Sequence, residues 1–135
     1  MIHACPQRMW YVNEFLLPSM YEQGIKESEI CVWNDGEQIG NFKSFVASMK
    51  YVRDNQPDDA CIWHIQDDVI LSADFKTIAD GINCMAYGFT ARRFDKATWQ
   101  NTGYHIPTEA WGSFQCVCIP NSYAKEFLYW LAHNR

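Results

Sequence analysis

The stretch His64-Ile65-Gln66-Asp67-Asp68-Val69-Ile70-Leu71 constrains this chain more than any other. Ala60, Cys61, Ile62 and Trp63 lead into it, so it reads as a buried strand that stops at two adjacent acids. Burying an unpaired carboxylate is costly, and Asp67 and Asp68 therefore need compensation. A divalent cation with a phosphorylated ligand would supply it. The plain alternative is a strand-end acid that caps the following helix.

The rest of the chain is organised by periods around this strand. Met1 to Cys5 is a short apolar opening strand ended by Pro6. A helix follows from about Arg8 to Gln23, with Val12, Phe15, Leu16 and Met20 on its apolar face. Pro18 predicts a kink or a split in it, and Gly24 its stop. Glu29 to Trp33 is the second strand, closed by the turn Asn34-Asp35-Gly36. Gly40-Asn41 opens a second helix with the stripe Phe42, Phe45, Val46, Met49 and Val52. After the central strand, Ser72 or Asp74 is placed to cap a third helix carrying Phe75, Ile78, Ala79 and Ile82. Met85 to Ala91 reads as a fourth strand and Ser113 to Ile119 as a fifth. Between them, residues 94–112 show no clear period and read as a long loop. A last helix presents Ala124, Phe127, Leu128 and Leu131 to the core.

Strands alternating with helices predict one α/β domain over residues 1–135, an open and mostly parallel sheet with helices on both faces. Ligands of such sheets bind at the carboxyl ends of the strands. Three polar clusters fall at such ends: Pro6-Gln7-Arg8, Asn34-Asp35-Gly36 and Gln66-Asp67-Asp68. No glycine-rich phosphate loop follows the first strand, which argues against a Walker or dinucleotide site.

Charge and cysteines narrow the class further. A net charge of -5 argues against sequence-independent nucleic-acid binding, which needs a basic surface. No apolar run approaches the ~20 residues of a membrane span. The cysteines, five of them in apolar strand-like stretches, read as reduced residues of a cytoplasmic protein. Cys116-Val117-Cys118 lacks the usual zinc spacing.

These residues resemble a family. The chain looks like the nucleotide-sugar-binding part of a GT-A glycosyltransferase, a Rossmann-like nucleotide-diphospho-sugar transferase fold. Cys5-Pro6-Gln7-Arg8 resembles the V-P-E-R opening of small bacterial and phage-encoded members, and Asn34-Asp35 the strand-two acid that contacts the nucleoside. His64 to Leu71 resembles the L-E-D-D-V form of the D-x-D motif, with Gln66 standing where that form has its first acid. Trp111-Gly112-Ser113 through Ile119-Pro120 resembles the segment that closes the donor pocket.

The resemblance implies transfer of a sugar from a nucleoside-diphosphate sugar to an acceptor that is a glycan, a protein or a modified base. Mn2+ or Mg2+ would neutralise the leaving diphosphate. By the same resemblance, Asp68 would reach the metal, and Asp67 the ribose, the sugar or the metal shell. Asp35 would hold base or ribose. Pro6, Arg8 and Gln66 would line the donor, with Arg92 or Arg93 assisting at phosphate. Family members usually continue into an acceptor-binding half, so a chain ending at Arg135 is expected to be a truncation or an unusually small member. His105 is a candidate metal ligand and Glu109 a candidate general base, each set against an ordinary loop residue. His64 reads as a core histidine with a hydrogen-bond partner. A non-catalytic nucleotide-sugar-binding or interaction module with the same fold is the alternative, and an enzyme that glycosylates modified DNA bases is a third reading.

Overall fold

The first strand shows how the chain divides its apolar residues between two cores. In β1 (Ile2–Ala4), Ile2 and Ala4 are buried on one face, while His3 turns to the other and meets Phe45, as the period of two requires. β3 (Cys61–Gln66) repeats the division, with Ile65 beside Ile2 and His64 against His3. β7 (Cys116–Pro120) is buried throughout, Cys116 joining the first core and Val117 and Ile119 the second. The structure is a computed structural model and describes residues 1–82, 86–87, 98–100, 103–105 and 116–134.

β1 pairs in parallel with β2 (Val32–Asn34) on one side and with β3 on the other. β7 pairs antiparallel with β3 and with β4 (Ala86–Tyr87), so the sheet order is β2-β1-β3-β7-β4. The expected α/β sheet is therefore present, and among its described strands β7 runs against the other four. Parallel neighbours require a crossover, usually a helix. The sequence over 94–112 carries no helical period. Part of that stretch, read as loop, is a hairpin of β5 (Thr98–Gln100) and β6 (Gly103–His105). Strands this short offer too few positions to display a period.

The first face is covered by a helical run over 6–22 and by α4 (Phe75–Asp80); α3 (Asn41–Asn55) and α5 (Asn121–His133) cover the second. The run over 6–22 begins with a 3-10 turn at Pro6–Arg8, continues through α1 (Met9–Tyr11) and a π turn at Val12–Leu16, and ends in α2 (Leu17–Glu22). The kink expected at Pro18 takes the form of that π turn. Pro18 has no N–H, and a proline ring crowds the carbonyl four residues back. Widening the preceding turn, with Leu17 N–H donating to Val12 O, accommodates both. The extra residue rotates the apolar stripe, so Val12, Leu16 and Met20 are buried while Phe15 is exposed.

Gly24 closes this run at φ +80°. Its N–H donates to Tyr21 O at 2.9 Å and Ile25 N–H to Met20 O at 3.1 Å, the paired bonds of a Schellman cap. A Cβ added at Gly24 would meet nothing, so Gly24→Ala isolates the backbone cost. It is expected to lower stability by about 1 kcal/mol, read as a lower urea midpoint at unchanged slope.

The second strand begins later than its apolar run suggests. Glu27–Glu29 forms a 3-10 turn, closed by Lys26 N–H donating to the Glu29 carboxylate at 2.8 Å. At the start of α4, Asp74 stands at the N-cap without a side-chain capping bond. In α3, Val46, Met49 and Val52 are buried as the stripe predicts, and Phe42 is exposed. The last helix buries Ala124 and Leu128. Among the described residues, no helix is long and apolar enough to cross a membrane.

Candidate functional site

The connections place a crevice at one end of the sheet. From β1 the chain crosses the first face to β2, on one side of β1. From β2 it crosses the second face through α3 to β3, on the other side. The connection from β1 leads to β2 at one edge of the sheet and that from β3 to β4 at the other, and in sheets of this kind ligands bind at the carboxyl ends of the two strands where the order reverses. Here those strands are β1 and β3, which end in Cys5 to Arg8 and in Asp67-Asp68.

Asp67 is 1% exposed. Its Oδ2 accepts the Cys5 N–H at 2.8 Å, and Arg8 Nη2 lies 2.8 Å from its Oδ1. That second contact is an ion pair; Oδ1 receives no well-aligned hydrogen bond. The Asp67 N–H continues the β1–β3 ladder to His3 O at 3.0 Å. Arg8 also reaches the other acid, Nη1 donating to Asp68 Oδ2 at 3.2 Å. Arg8 and Asp68 are 47% and 40% exposed, so the cluster grades from a buried carboxylate, through a bridging guanidinium, to a carboxylate in water. Partial burial is the largest single cause and pulls the Arg8 pKa down, but the negative groups around it, Asp67 foremost, together outweigh it and the net shift is upward. Neither acid caps α4, which begins well beyond them.

The chain matches no family model, no curated protein and no solved structure.

Further back along the same two strands lies an imidazole pair, with His64 buried and His3 half-buried. His3 Nε2 and His64 Nδ1 are 2.8 Å apart, and Phe45 packs against both rings. Burial is the largest cause lowering both pKa values, to about 4 for His3 and about 3 for His64. His64 is thus a core histidine with a hydrogen-bond partner. Because its carbonyl accepts from Asp67, His3 joins the pair to the cluster above.

The other candidate residues are placed as follows. Pro6 is exposed at the start of its 3-10 turn. Gln66 is half-buried, opposite His3 in the ladder. Asp35 follows β2, and its N–H donates to Ala4 O at 2.9 Å, which puts it beside the end of β1. One Asp35 oxygen accepts the Ile39 N–H at 3.1 Å and so folds its own loop. Arg92, Arg93 and Glu109 lie outside the described residues; of His105 only the backbone, in β6, is described. No disulfide joins the cysteines among the described residues, and burial pushes the Cys116 thiol up to about 12, an inert core group.

Two contributors are invisible to motif reading. The Cys5 N–H is a main-chain donor that most residues would provide. His3 carries one signal, since strand alternation sets it opposite Ile2 and Ala4, on the face that also receives His64.

Asp68 is the accessible carboxylate and could offer oxygen to a hard cation, while Asp67 Oδ1 is buried against Arg8; among the described residues no group of three or more metal-ligating side chains gathers. Mg2+ and Mn2+ take oxygen ligands, and Mg2+ typically uses one or two carboxylates together with waters and phosphates. A further cleft, of about 270 Å3, opens at the opposite, amino-terminal end of β1 and β3 between Met20, Ile30, Trp63 and Phe75. Its lining mixes apolar side chains with the charged Glu29, Lys76 and Asp80, and Lys76 is paired with Asp80.

Proposed function

We propose that the chain binds a nucleoside-diphosphate sugar at the carboxyl ends of β1, β2 and β3, and acts as a metal-dependent glycosyltransferase or the donor-binding domain of one. The observation that carries this reading is the bridge Asp67–Arg8–Asp68 across the β1–β3 crevice. It gathers two carboxylates and a guanidinium where an α/β sheet of this topology receives ligands. Asp68 would hold Mn2+ or Mg2+, which supplies Lewis-acid neutralisation of the leaving diphosphate. Arg8 would orient an anionic oxygen of the donor. Asp67, being buried, would act by fixing Arg8 and the Cys5 backbone rather than by touching the sugar. Asp35, at the end of β2, would meet the nucleoside.

One observation favours a narrower reading, donor binding without transfer. Arg8 already balances much of the charge of the two acids, so the site is not compelled to hold a metal. Slow hydrolysis of the donor by the wild-type protein separates an enzyme from a binding module.

The test of binding is a melting-temperature titration with UDP-, GDP- and TDP-sugars, with and without Mn2+. A ligand at about 100 times its Kd adds about 2.7 kcal/mol to stability, which is read as a rise of several degrees. Asp68→Asn is expected to remove the Mn2+-dependent part of that rise. No shift with any of the nucleotides would sink the reading.

A further inference from the structure

We propose that the cleft at the amino-terminal ends of β1 and β3 binds a small aromatic amine, with its rings against Trp63 and Phe75 and its ammonium on Glu29 and Asp80 at the rim. This site lies at the end of the sheet opposite the Asp67–Arg8–Asp68 bridge and does not depend on the reading given there.

The floor suits a flat apolar body. The cleft holds about 270 Å3, with Met20, Ile30, Trp63, Phe75 and Ala79 among its walls. A cavity of about 150 Å3 lined by Leu, Ile and Phe stays dry and takes up benzene, so this one has room for two fused rings. Trp63 and Phe75 meet edge to face, with centroids 5.3 Å apart and planes at 73°, an arrangement that a third ring can join favourably. The walls are fixed without a ligand. Gln23, the residue after α2, accepts the Lys76 N–H at 3.1 Å and donates to Ser72 O at 3.0 Å, which ties the start of α4 to the end of α2. Glu29 is held by the Lys26 N–H at 2.8 Å. A site ordered in advance loses less entropy when its ligand arrives.

The rim selects the charge of the ligand. Lys76 Nζ donates to both oxygens of Asp80, at 2.7 and 3.0 Å. That bonding is the largest cause raising the Lys76 pKa, and Glu29 raises it too, so two carboxylates face one ammonium. The Met1 amino group, also in the lining, donates to Trp63 O at 2.8 Å, and burial lowers its pKa to about 6. It is therefore mostly uncharged at pH 7. Two acids and one lysine leave one net negative charge in the lining, and a cationic ligand end completes it. A ligand carboxylate would instead meet an excess of its own sign.

The test uses the full chain at pH 7 and three probes that share one body: naphthylethylamine, naphthylethanol and naphthylpropionate. Affinities are read from the Trp63 indole N–H resonance, assigned by its absence in Trp63→Phe. The amine is expected to bind most tightly and the carboxylate least, the two differing by about tenfold, as for unit charges a few ångströms apart in a partly exposed site. Glu29→Gln keeps an acceptor for the Lys26 N–H; it is expected to weaken the amine several-fold and to leave the alcohol unchanged. Ala79→Leu fills the cleft from α4 with a good helix former and is expected to abolish binding of all three probes.

A Trp63 resonance unmoved by every probe overturns the proposal, and so does a carboxylate bound as tightly as the amine. Amine binding retained by Ala79→Leu overturns it as well. Should Ala79→Leu fail to fold, the order of the three probes on the wild type decides the matter alone. None of these readouts contains nucleotide, so their failure leaves the donor-binding reading where it stands.

Discussion

Acidifying the protein from pH 7 to pH 5 is expected to remove about 4 kcal/mol of stability, about 2 from each imidazole, and to lower the melting temperature by roughly 10–15 °C. His3 and His64 face each other at 2.8 Å under Phe45, and burial holds their pKa values down to about 4 and about 3. In the unfolded chain both return to an ordinary value near 6.5. Below that pH the unfolded state binds protons that the folded state refuses. The stability carried by the pair is thus complete above about 6.5 and drains as pH falls toward the folded values. Carboxylates contribute little in this window, since most titrate lower. The double variant His3→Leu/His64→Leu removes both bases without orphaning a nitrogen, and its melting temperature is expected to be nearly level from pH 7 to pH 5. A wild-type curve equally level would show that the folded pair already carries a proton, contrary to its buried setting.

The second large effect concerns the charge under the candidate site. Arg8→Met is expected to cost about 3 kcal/mol, because it leaves the Asp67 carboxylate buried with only the Cys5 N–H against it. Asp67→Asn keeps an acceptor for that N–H and is expected to cost about 1–2 kcal/mol. The two losses are not expected to add. In the double variant the buried charge that needed Arg8 is gone, so stability should recover to near that of Asp67→Asn alone. Chemical denaturation of the four proteins gives the coupling energy directly. Additive losses would mean that Asp67 and Arg8 do not depend on each other, and the bridge would lose its place as the organising contact of the crevice.

Both expectations arise from residues on β1 and β3 or just beyond their carboxyl ends, and these strands show how far the sequence could be read. The apolar run ending at Asp67-Asp68 identified β3 and its stopping point, because a strand buried on both faces leaves a nearly continuous apolar signature. The helical stripes of α3 and α5 were legible for the same reason, and Gly24 marked the end of the first helical run through its positive φ. Phe15 and Phe42 were misassigned to the core. A period records which residues can share a face, and not where the stripe rotates at a π turn or runs past the edge of the sheet. The reversal of β7 left no local trace, because a strand's own residues do not reveal the direction of its neighbour.

At the site the division is sharper. The burial of an acid at the end of β3 followed from the sequence, and so did the need for a compensating charge. The partner that supplies it did not: Asp67 is answered by Arg8 and the Cys5 N–H, from a strand some sixty residues away in the chain. The same distance separates His3 from His64, each of which reads alone as an ordinary core histidine. By itself, then, the amino-acid sequence determined the alternation of elements, the two-sided sheet and the presence of charge where charge is costly, because these depend on local period and transfer free energy. Only the tertiary structure decided the direction of β7, the pairing of the imidazoles, and which of two adjacent acids is anchored and which remains open to a ligand. Those outcomes depend on which strand lies beside which, and strand adjacency is set by the packing of the whole sheet.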